Sequence, residues 1–418
     1  MLLFHGSGIP SAKGQLIRSE SYELSVAPDF WYNTVDRAKP GIRFRGEDPR
    51  TFLDGPHRLE ASIRLATAFP DTPVSWFVSY THPISFLTSP GNEGAVHVYG
   101  SMRAGLHRYE AGLKKRWQPG FDEFVSTDLH FYGGLYKRFD DAYLIYNPQW
   151  QKEPVTFLRS YFRKRDEHGL GRWTVHLSGF AGMPVRDRDP FIRYDGQATE
   201  SPEALGVDGL FGQLTLEGLQ QIDLPYSFYT RTRLFAGVSS NSTLPEHRYF
   251  VSGASAFTLS ESAWTRARGT LPPSWIRDGL LQVPGGPGLR GYQEMTADQL
   301  ESGMMPWVQH AVSMNVDLYY PNPVDSYFSK IPYLGDLLRL ESYLFFDAGF
   351  MYDHTEWQDI LMNAGAGFML SLNIADYLGQ DRGFFIRYEW PLWLSDAPDG
   401  ENAFSFRHLL GLGAHYRF

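Results

Sequence analysis

The sequence contains no cysteine, which excludes a disulfide framework, a thiolate metal site and a cysteine nucleophile. It also has no long apolar run. Stretches such as residues 344–350 (LFFDAGF) are much shorter than the roughly 20 apolar residues of a membrane-spanning helix, so a helical membrane protein is excluded. Residues 1–14 show no basic segment followed by an apolar core, so no signal peptide is visible and we expect an export signal upstream.

An excess of positive charge is absent as well. The formal net charge is −9, and the Lys and Arg residues are scattered, so the basic footprint of a nucleic-acid-binding protein is missing. The 13 histidines form no HExxH motif, and the sequence has neither a GxSxG elbow nor a phosphate-binding loop with its Lys. We therefore expect no enzyme, no catalytic residue, no cofactor, no metal and no nucleic-acid partner.

Aromatic residues and alternating patterns, by contrast, are plentiful. Phe, Trp and Tyr make up 16% of the chain, which suits the aromatic girdles of membrane barrels. Residues 57–69 alternate with a period of two, which places successive side chains on opposite faces of a strand. The expected lipid-facing residues are Leu59, Ala61, Ile63, Leu65, Thr67 and Phe69, and the expected interior residues are Glu60, Ser62, Arg64 and Ala66. A soluble β-sandwich remains open, because alternation marks any half-buried sheet.

The same alternation predicts strands along the whole chain. Upstream they are expected at residues 74–82, 95–107, 155–163, 172–180, 211–219, 228–238 and 248–259, whereas 104–117 could be helical. The C-terminal third predicts five more, at 307–320, 338–352, 361–372, 383–394 and 403–418. At about 25 residues for a strand and its turn, about sixteen strands fit the chain. We predict an all-β fold, a transmembrane antiparallel β-barrel of about 16 strands over residues 31–418, with residues 1–30 as a lead-in.

The last strand carries a further signal at its end. The chain stops at Phe418, with Tyr416 and other alternating apolar residues before it. An exposed strand of this kind would invite edge pairing in a soluble protein. A terminal Phe preceded by alternating apolar residues resembles the sorting signal of bacterial outer-membrane barrels. The alternative is a buried last strand that ends at Phe418.

Two short motifs lie in the last third of the chain. The first is GGPGLRGYQ at residues 285–293, and the second is FFDAG at residues 345–349. The residues singled out in the first motif are Gly285, Gly286, Gly288, Leu289, Arg290, Gly291 and Tyr292, and those in the second are Phe345, Asp347 and Gly349. In this order, and with the terminal Phe, they resemble motifs of the outer-membrane protein assembly factor superfamily, also called the bacterial surface antigen family, which includes BamA, TamA and the two-partner secretion transporters. Residues 31–41 look like the segment that opens such barrels.

The resemblance implies a lid loop, from about residue 269 to 305, folded into the barrel lumen. The guanidinium fork of Arg290 can bind a carboxylate bidentately, and Asp347 lies on a strand where it can face inward. We therefore expect a salt bridge between Arg290 and Asp347 that anchors the lid, with the loop glycines allowing left-handed backbone conformations. On the residues alone, without the resemblance, the favoured interpretation is a solvated loop Arg290 and an Asp347 that begins a turn.

The sequence departs from the family in one respect. Family members carry periplasmic POTRA repeats before the barrel, and about 30 residues leave no room for one. The leading hypothesis is an outer-membrane barrel that inserts or translocates client polypeptides through a seam, where Gly411 and Gly413 weaken strand pairing. The alternatives are the C-terminal membrane anchor or export barrel of a longer surface enzyme, such as a patatin-like lipase or a metallopeptidase, and a porin-like channel. Expected partners are outer-membrane lipid and lipopolysaccharide, together with a client polypeptide or an upstream passenger domain, and the expected location is a Gram-negative-type cell outer membrane.

Overall fold

The computed structural model describes most of the chain. The described residues are 17–18, 22–48, 57–120, 122, 124–145, 150, 153–185, 209–272, 275, 279–293, 307–328, 330–331, 338–352, 360–375, 381–398 and 400–416. They form one 18-stranded sheet with sixteen long strands and two two-residue strands. The predicted all-β class is confirmed.

The sixteen long strands follow one another along the chain. They are β1 (Glu23–Asn33), β2 (Arg37–Glu47), β3 (Arg58–Leu65), β4 (Val74–Pro83), β5 (Asn92–Arg103), β6 (Leu106–Trp117), β7 (Ser126–Arg138), β8 (Val155–His168), β9 (Gly171–Pro184), β10 (Phe211–Asp223), β11 (Tyr229–Ser239), β12 (His310–Tyr320), β13 (Leu338–Tyr352), β14 (Leu361–Ala375), β15 (Asp381–Leu394) and β16 (Leu409–Tyr416). Short strands occur at Ile17–Arg18, Tyr249–Phe250, Leu281–Gln282 and Trp307–Val308. The helices are α1 (Ala256–Glu261) and α2 (Asp325–Phe328), with 3₁₀ turns at Ser85–Leu87, Pro225–Ser227, Pro245–His247 and Arg290–Tyr292.

Each long strand pairs antiparallel with the next one along the chain, so the sheet is a continuous meander. β11 and β12 also pair directly, although residues 240–309 separate them. Within the described residues, no ladder joins β1 to β16. We call the gap between these two edge strands the seam. The short strand Ile17–Arg18 pairs with the first two residues of β1, Glu23 and Leu24.

Three sequence-based expectations need correction. Residues 104–117 are not helical, because Ala104 and Gly105 adopt positive φ angles of 50° and 71° and make a tight turn into β6. Of the predicted strand at 248–259, only Tyr249–Phe250 is extended and paired; α1 follows it, and Ser255 caps the first turn of α1 by accepting a hydrogen bond from the Thr258 amide. The first long strand begins at Glu23 and not at Trp31.

The sheet has an inverted polarity compared with a soluble protein. Apolar side chains project from its outer face, with Leu158 at 67% and Val312 at 58% exposure. On β3, Ile63 is 49% exposed, whereas the neighbouring Ser62 is buried and donates to Asp29 at 2.6 Å. Charged side chains line the opposite face in the same way. The strands therefore present polar groups to the interior and apolar groups to the exterior.

The connection from β11 to β12 comprises residues 240–309, and we call it the lid; those of its residues that the structure describes lie inside the sheet. The lid is longer than the predicted 269–305. Its described residues contact strands from both halves of the meander: Glu261 pairs with Arg108 of β6, and Arg290 pairs with Asp347 of β13. The sheet must therefore curl around the lid, as in a barrel. None of the helices that the structure describes is both long and apolar enough to span a bilayer.

Candidate functional site: the lid and its anchor

Arg290 is the residue that ties the lid to the wall of the sheet. It lies in the 3₁₀ turn Arg290–Tyr292 and is 4% exposed. Its Nε donates to Asp347 Oδ2 at 2.9 Å, its Nη2 donates to Asp347 Oδ1 at 2.5 Å, and its backbone amide donates to Oδ2 at 3.2 Å. The guanidinium therefore binds the carboxylate as a fork, a geometry that lysine cannot provide.

Two further carboxylates meet the same guanidinium. Arg290 Nη1 donates to Glu389 Oε1 at 2.9 Å and lies 2.8 Å from Asp317 Oδ1. The Phe345 ring lies 4.0 Å below the guanidinium carbon, in cation–π geometry. We call Arg290, Asp317, Asp347 and Glu389 the anchor. The three carboxylates contact most of the N–H donors of this guanidinium, and a buried charge needs such partners to be stable.

The strand register brings the anchor together. Asp347 of β13 lies opposite Asn315 of β12 and Asn363 of β14. Asn315 Nδ2 donates to Asp347 Oδ1 at 3.0 Å and to the Gly288 carbonyl of the lid at 3.1 Å. Because inward positions recur every second residue, Asp347 and Phe345 share a face with these asparagines. The second motif thus presents an acid and an aromatic ring to one guanidinium.

Glycines in β14 make room for the acid on the next strand. A Cβ at Gly367 would lie 2.8 Å from Tyr343 Cζ and 2.9 Å from Glu389 Cγ. With glycine there, Tyr343 donates across the strand to Glu389 Oε1 at 2.8 Å. The absence of a side chain on β14 therefore lets β13 and β15 meet inside the barrel.

The loop glycines before Arg290 allow close contact with the wall. Gly286 and Gly288 have φ angles of 52° and 69°, values that side-chain-bearing residues rarely adopt. Arg233 of β11 donates to the Gly286 carbonyl at 2.7 Å, and Ser313 of β12 donates to the Pro287 carbonyl at 2.7 Å. Gly285, with a φ of 150°, approaches Ala254 within the lid so closely that a Cβ would lie 2.9 Å from its Cα. The loop backbone is hydrogen-bonded to two strands.

The residues on either side of Arg290 are fully buried. Leu289 packs in a core cluster with Phe235, Met351 and Leu394. Tyr292 donates from its hydroxyl to the Met362 carbonyl at 3.1 Å.

Gly291 and Gly349 are the points of closest approach between the two motifs and the wall. A Cβ on Gly291 would lie 2.2 Å from Leu394 Cδ2. A Cβ on Gly349 would lie 3.1 Å from Leu289 Cδ1. Because neither glycine carries a side chain, Leu289, Arg290 and Tyr292 can all pack against the wall at the same time.

The charge balance holds Arg290 in its ionised form. Burial by itself lowers the pKa of Arg290, but Asp317, Asp347 and Glu389 together raise this pKa well above its usual value. Arg290 therefore keeps its positive charge in the folded protein near neutral pH.

A second part of the lid lies among aromatic rings. His247 is buried, shares a hydrogen bond of 2.9 Å with the Tyr136 hydroxyl, and packs against Phe180 and Phe257 with ring centroids 4.3 Å away in each case. Burial lowers the pKa of His247 to about 3, with the positive charge of Arg108 adding to the effect. The imidazole is therefore neutral near pH 7.

The lid also reaches the two strands beside the seam. The Thr34 amide and Oγ1, in the turn after β1, donate to the Arg268 carbonyl at 3.1 and 2.9 Å. Farther along the lid, Leu281–Gln282 pairs in parallel with residues 410–411 of β16, where the Leu410 amide donates to the Leu280 carbonyl at 2.5 Å. We call these contacts the clasp. The lid thus contacts both edge strands that do not pair with each other.

Other predicted positions fall as follows. Gly411 lies opposite Arg387 and Gly413 lies opposite Phe385 of β15, both within the β16 ladder. Tyr416 ends β16 opposite Arg382. Phe418 lies outside the described residues, so the sorting signal remains a prediction.

Sequence reasoning missed Glu389, Asp317 and Arg233. The signal available in the sequence was an acid at an inward position of an otherwise apolar strand, as in IRYEWPLWL around Glu389. Their convergence needed the strand order. Among the described residues, no group of three or more His, Asp or Glu side chains could hold a metal ion.

No protein-family model and no curated protein matches the chain. Among solved structures, the chain is similar to the crystal structure of BamA from Haemophilus ducreyi lacking POTRA domains 1–3. The sequence identity is 13% and the TM-score is 0.45, and the alignment covers 94% of this chain and 70% of that one.

Proposed function

We propose that this chain is an outer-membrane β-barrel that inserts or translocates polypeptides, with a lid that is anchored by Arg290 and closes the seam. The protein performs no covalent chemistry in this proposal. In this proposal the lid keeps the two edge strands from contact with lipid. When the lid moves away, a client strand can pair with an edge strand.

Membrane placement is supported by the inverted polarity of the sheet. Exposed apolar side chains on successive outward positions would aggregate in water but match the hydrocarbon core of a bilayer. Buried ion pairs such as Arg64 with Asp29 at 2.7 Å line the inside. An outer membrane is the bilayer that barrels of this size occupy.

The clasp is the observation that carries the functional proposal. Two edge strands in a bilayer leave backbone donors and acceptors unpaired unless something covers them. In this chain the lid contacts both edges, through Arg268 at the turn after β1 and through Leu281–Gln282 at β16. A lid that can leave would expose the edge of β16, and a client strand could then pair with it.

A reversible lock tests this proposal. Leu281 and Leu410 are register partners that pack in one cluster, and the chain has no cysteine of its own, so Leu281→Cys with Leu410→Cys gives one defined disulfide. The assay follows the folding of a urea-unfolded eight-stranded barrel into liposomes that contain the protein. We expect the wild type to accelerate folding over empty liposomes, the oxidised variant to lose the acceleration, and reduction to restore it.

The control is a disulfide away from the seam. Ser178→Cys with Thr215→Cys links register partners on β9 and β10 and should leave the acceleration unchanged. Wild-type protein that gives no acceleration contradicts the insertion function. An oxidised seam variant that remains fully active contradicts the role of the clasp. Extraction of the folded chain from cells without detergent contradicts the membrane placement.

A further inference from the structure

A cavity of about 520 Å³ lies inside the sheet next to the anchor. Its wall comes from β9 to β12, from β14 and β15, and from the lid. Its charged lining residues are Arg172, Arg231, Arg233, Arg290, Arg387, Glu217 and Asp317. Five arginines face two carboxylates, so the lining carries an excess of positive charge although the whole chain is net negative.

Three of the five arginines are already engaged. Arg290 is held by the anchor. Arg233 binds Glu217 at 2.6 Å and the lid carbonyls, and Arg172 pairs with Glu167 at 2.8 Å. The two carboxylates of the lining are therefore used by Arg233 and Arg290.

Arg231 and Arg387 are in a different situation. Arg231 donates to the Tyr319 hydroxyl at 3.3 Å and to Gln221 at 3.4 Å, and its guanidinium lies over the Tyr229 and Tyr319 rings. It forms no ion pair with a described carboxylate. Arg387 lies 3.7 Å from Glu389 Oε1, an oxygen that already accepts from Arg290 and from Tyr343. Its Nε is buried without a hydrogen-bond partner.

The space around Arg387 is maintained by a missing side chain. A Cβ at Gly411 would lie 2.7 Å from Arg387 Nε and 2.9 Å from its Nη2. Beside the arginines, the wall includes Trp173, Tyr319 and Phe385. The cavity thus combines an aromatic surface with two guanidinium groups, of which Arg231 has no ion pair and Arg387 has a buried Nε without a hydrogen-bond partner.

We propose that this cavity binds a carboxylate or phosphate oxyanion, attached to an organic group, between Arg231 and Arg387. Charged groups removed from bulk water are stable when they are paired. A guanidinium fork matches carboxylate and phosphate oxygens in two-point geometry. The aromatic wall contacts the organic part of the ligand. This site goes beyond polypeptide insertion and does not depend on it.

The test uses the full chain in detergent micelles, titrated with inorganic phosphate and separately with succinate at constant ionic strength. Trp173 lines the cavity and is one of 11 tryptophans, so the part of the emission change that Trp173→Phe removes reports occupancy. The thermal midpoint provides a second readout. We expect at least one of the two anions to saturate the fluorescence change and raise the midpoint. Saturation by phosphate alone assigns a phosphate ligand, and saturation by succinate alone assigns a carboxylate ligand.

The variants are Arg231→Gln and Arg387→Gln, each expected to weaken binding at least about tenfold, as for the loss of a hydrogen bond to a charged group. Arg387→Lys keeps the charge without the fork and should give an intermediate affinity. Arg45→Gln removes the same charge at an exposed pair with Glu60 and should bind like the wild type. No saturable binding of either anion, or unchanged affinity in the double glutamine variant, overturns the proposal. Variants are compared only after their heat-modifiable gel mobility shows that they fold.

Discussion

The anchor and the clasp hold the same lid, but with interactions of different kinds. At the anchor, one guanidinium is shared by Asp347, Glu389 and Asp317, all with N–O distances of 2.9 Å or less. At the clasp, the lid relies on neutral hydrogen bonds from Thr34 and Leu410. Charge-assisted hydrogen bonds are roughly twice as strong as neutral ones. Breaking a buried ion pair also leaves one charge buried without a partner. We therefore expect the clasp to open more readily than the anchor.

The largest effect is expected when the anchor is broken. Arg290→Glu places a fourth acid among three carboxylates, and removing one partner of a buried pair costs about 3–5 kcal/mol. We expect loss of the lid position, seen as increased and noisier conductance in planar bilayers and as a lower urea midpoint. Asp347→Arg should act in the same direction, whereas Arg45→Glu at an exposed pair should not.

Exchanging the two charges tests whether Arg290 and Asp347 interact with each other. Arg290→Glu combined with Asp347→Arg should restore part of the closed behaviour, although the fork geometry is not reproduced. A double variant as disturbed as the sum of the two single variants would show that the two residues are not energetic partners.

A smaller effect is expected from overpacking beside the anchor. Gly291→Ala puts a Cβ 2.2 Å from Leu394 Cδ2, which forces displacement of the turn and should cost about 1–3 kcal/mol. The matched control is Gly212→Ala, whose Cβ would lie 3.9 Å from the nearest atom of another strand, the Phe180 carbonyl oxygen. The urea midpoints of the two variants measure the difference. Equal midpoints would contradict the tight seating of Arg290.

Acid should weaken the aromatic part of the lid. The pKa of His247 is lowered to about 3 in the folded protein from 6.5 in the unfolded chain, so the unfolded chain takes up a proton first. The free energy of unfolding should therefore fall as the pH decreases from about 6.5 toward 3, by about 1.4 kcal/mol per pH unit from this group. His247→Gln should remove that part of the slope and leave the difference between pH 8 and pH 7 unchanged. An identical slope in the variant would mean that another group is responsible.

The smallest effect is expected at the clasp. Thr34→Val removes the hydrogen bond from Oγ1 to the Arg268 carbonyl, which is worth about 0.5–1.5 kcal/mol. Hydrogen exchange of the Leu410 amide should become several-fold faster, while exchange near Asp347 stays constant. Faster exchange both at Leu410 and near Asp347 would show that the clasp and the anchor open together, which would contradict the expected difference in strength between them.

Much of the fold follows from local pattern. Strand β13 was predicted over the residues it occupies, 338–352, because period-two alternation is continuous there. The pattern failed at residues 104–117 and 248–259. In the first case a two-residue turn separates two strands, and in the second an apolar segment lies within the lid. Alternation indicates that one face of a segment is buried, but it does not indicate which part of the protein covers that face.

By itself, the sequence determined the strand-rich character, the inside and outside faces of each strand, and the loop in which Arg290 lies. Those properties depend on neighbours two to four residues apart, which one chain displays directly. Only the tertiary structure decided that Glu389, Asp317 and Asp347 surround one guanidinium, that Arg231 and Arg387 share a cavity, and that the lid meets both edge strands. These contacts join residues separated by up to 234 positions, as between Thr34 and Arg268. They arise from strand order, register and the curling of the sheet, which no local period encodes.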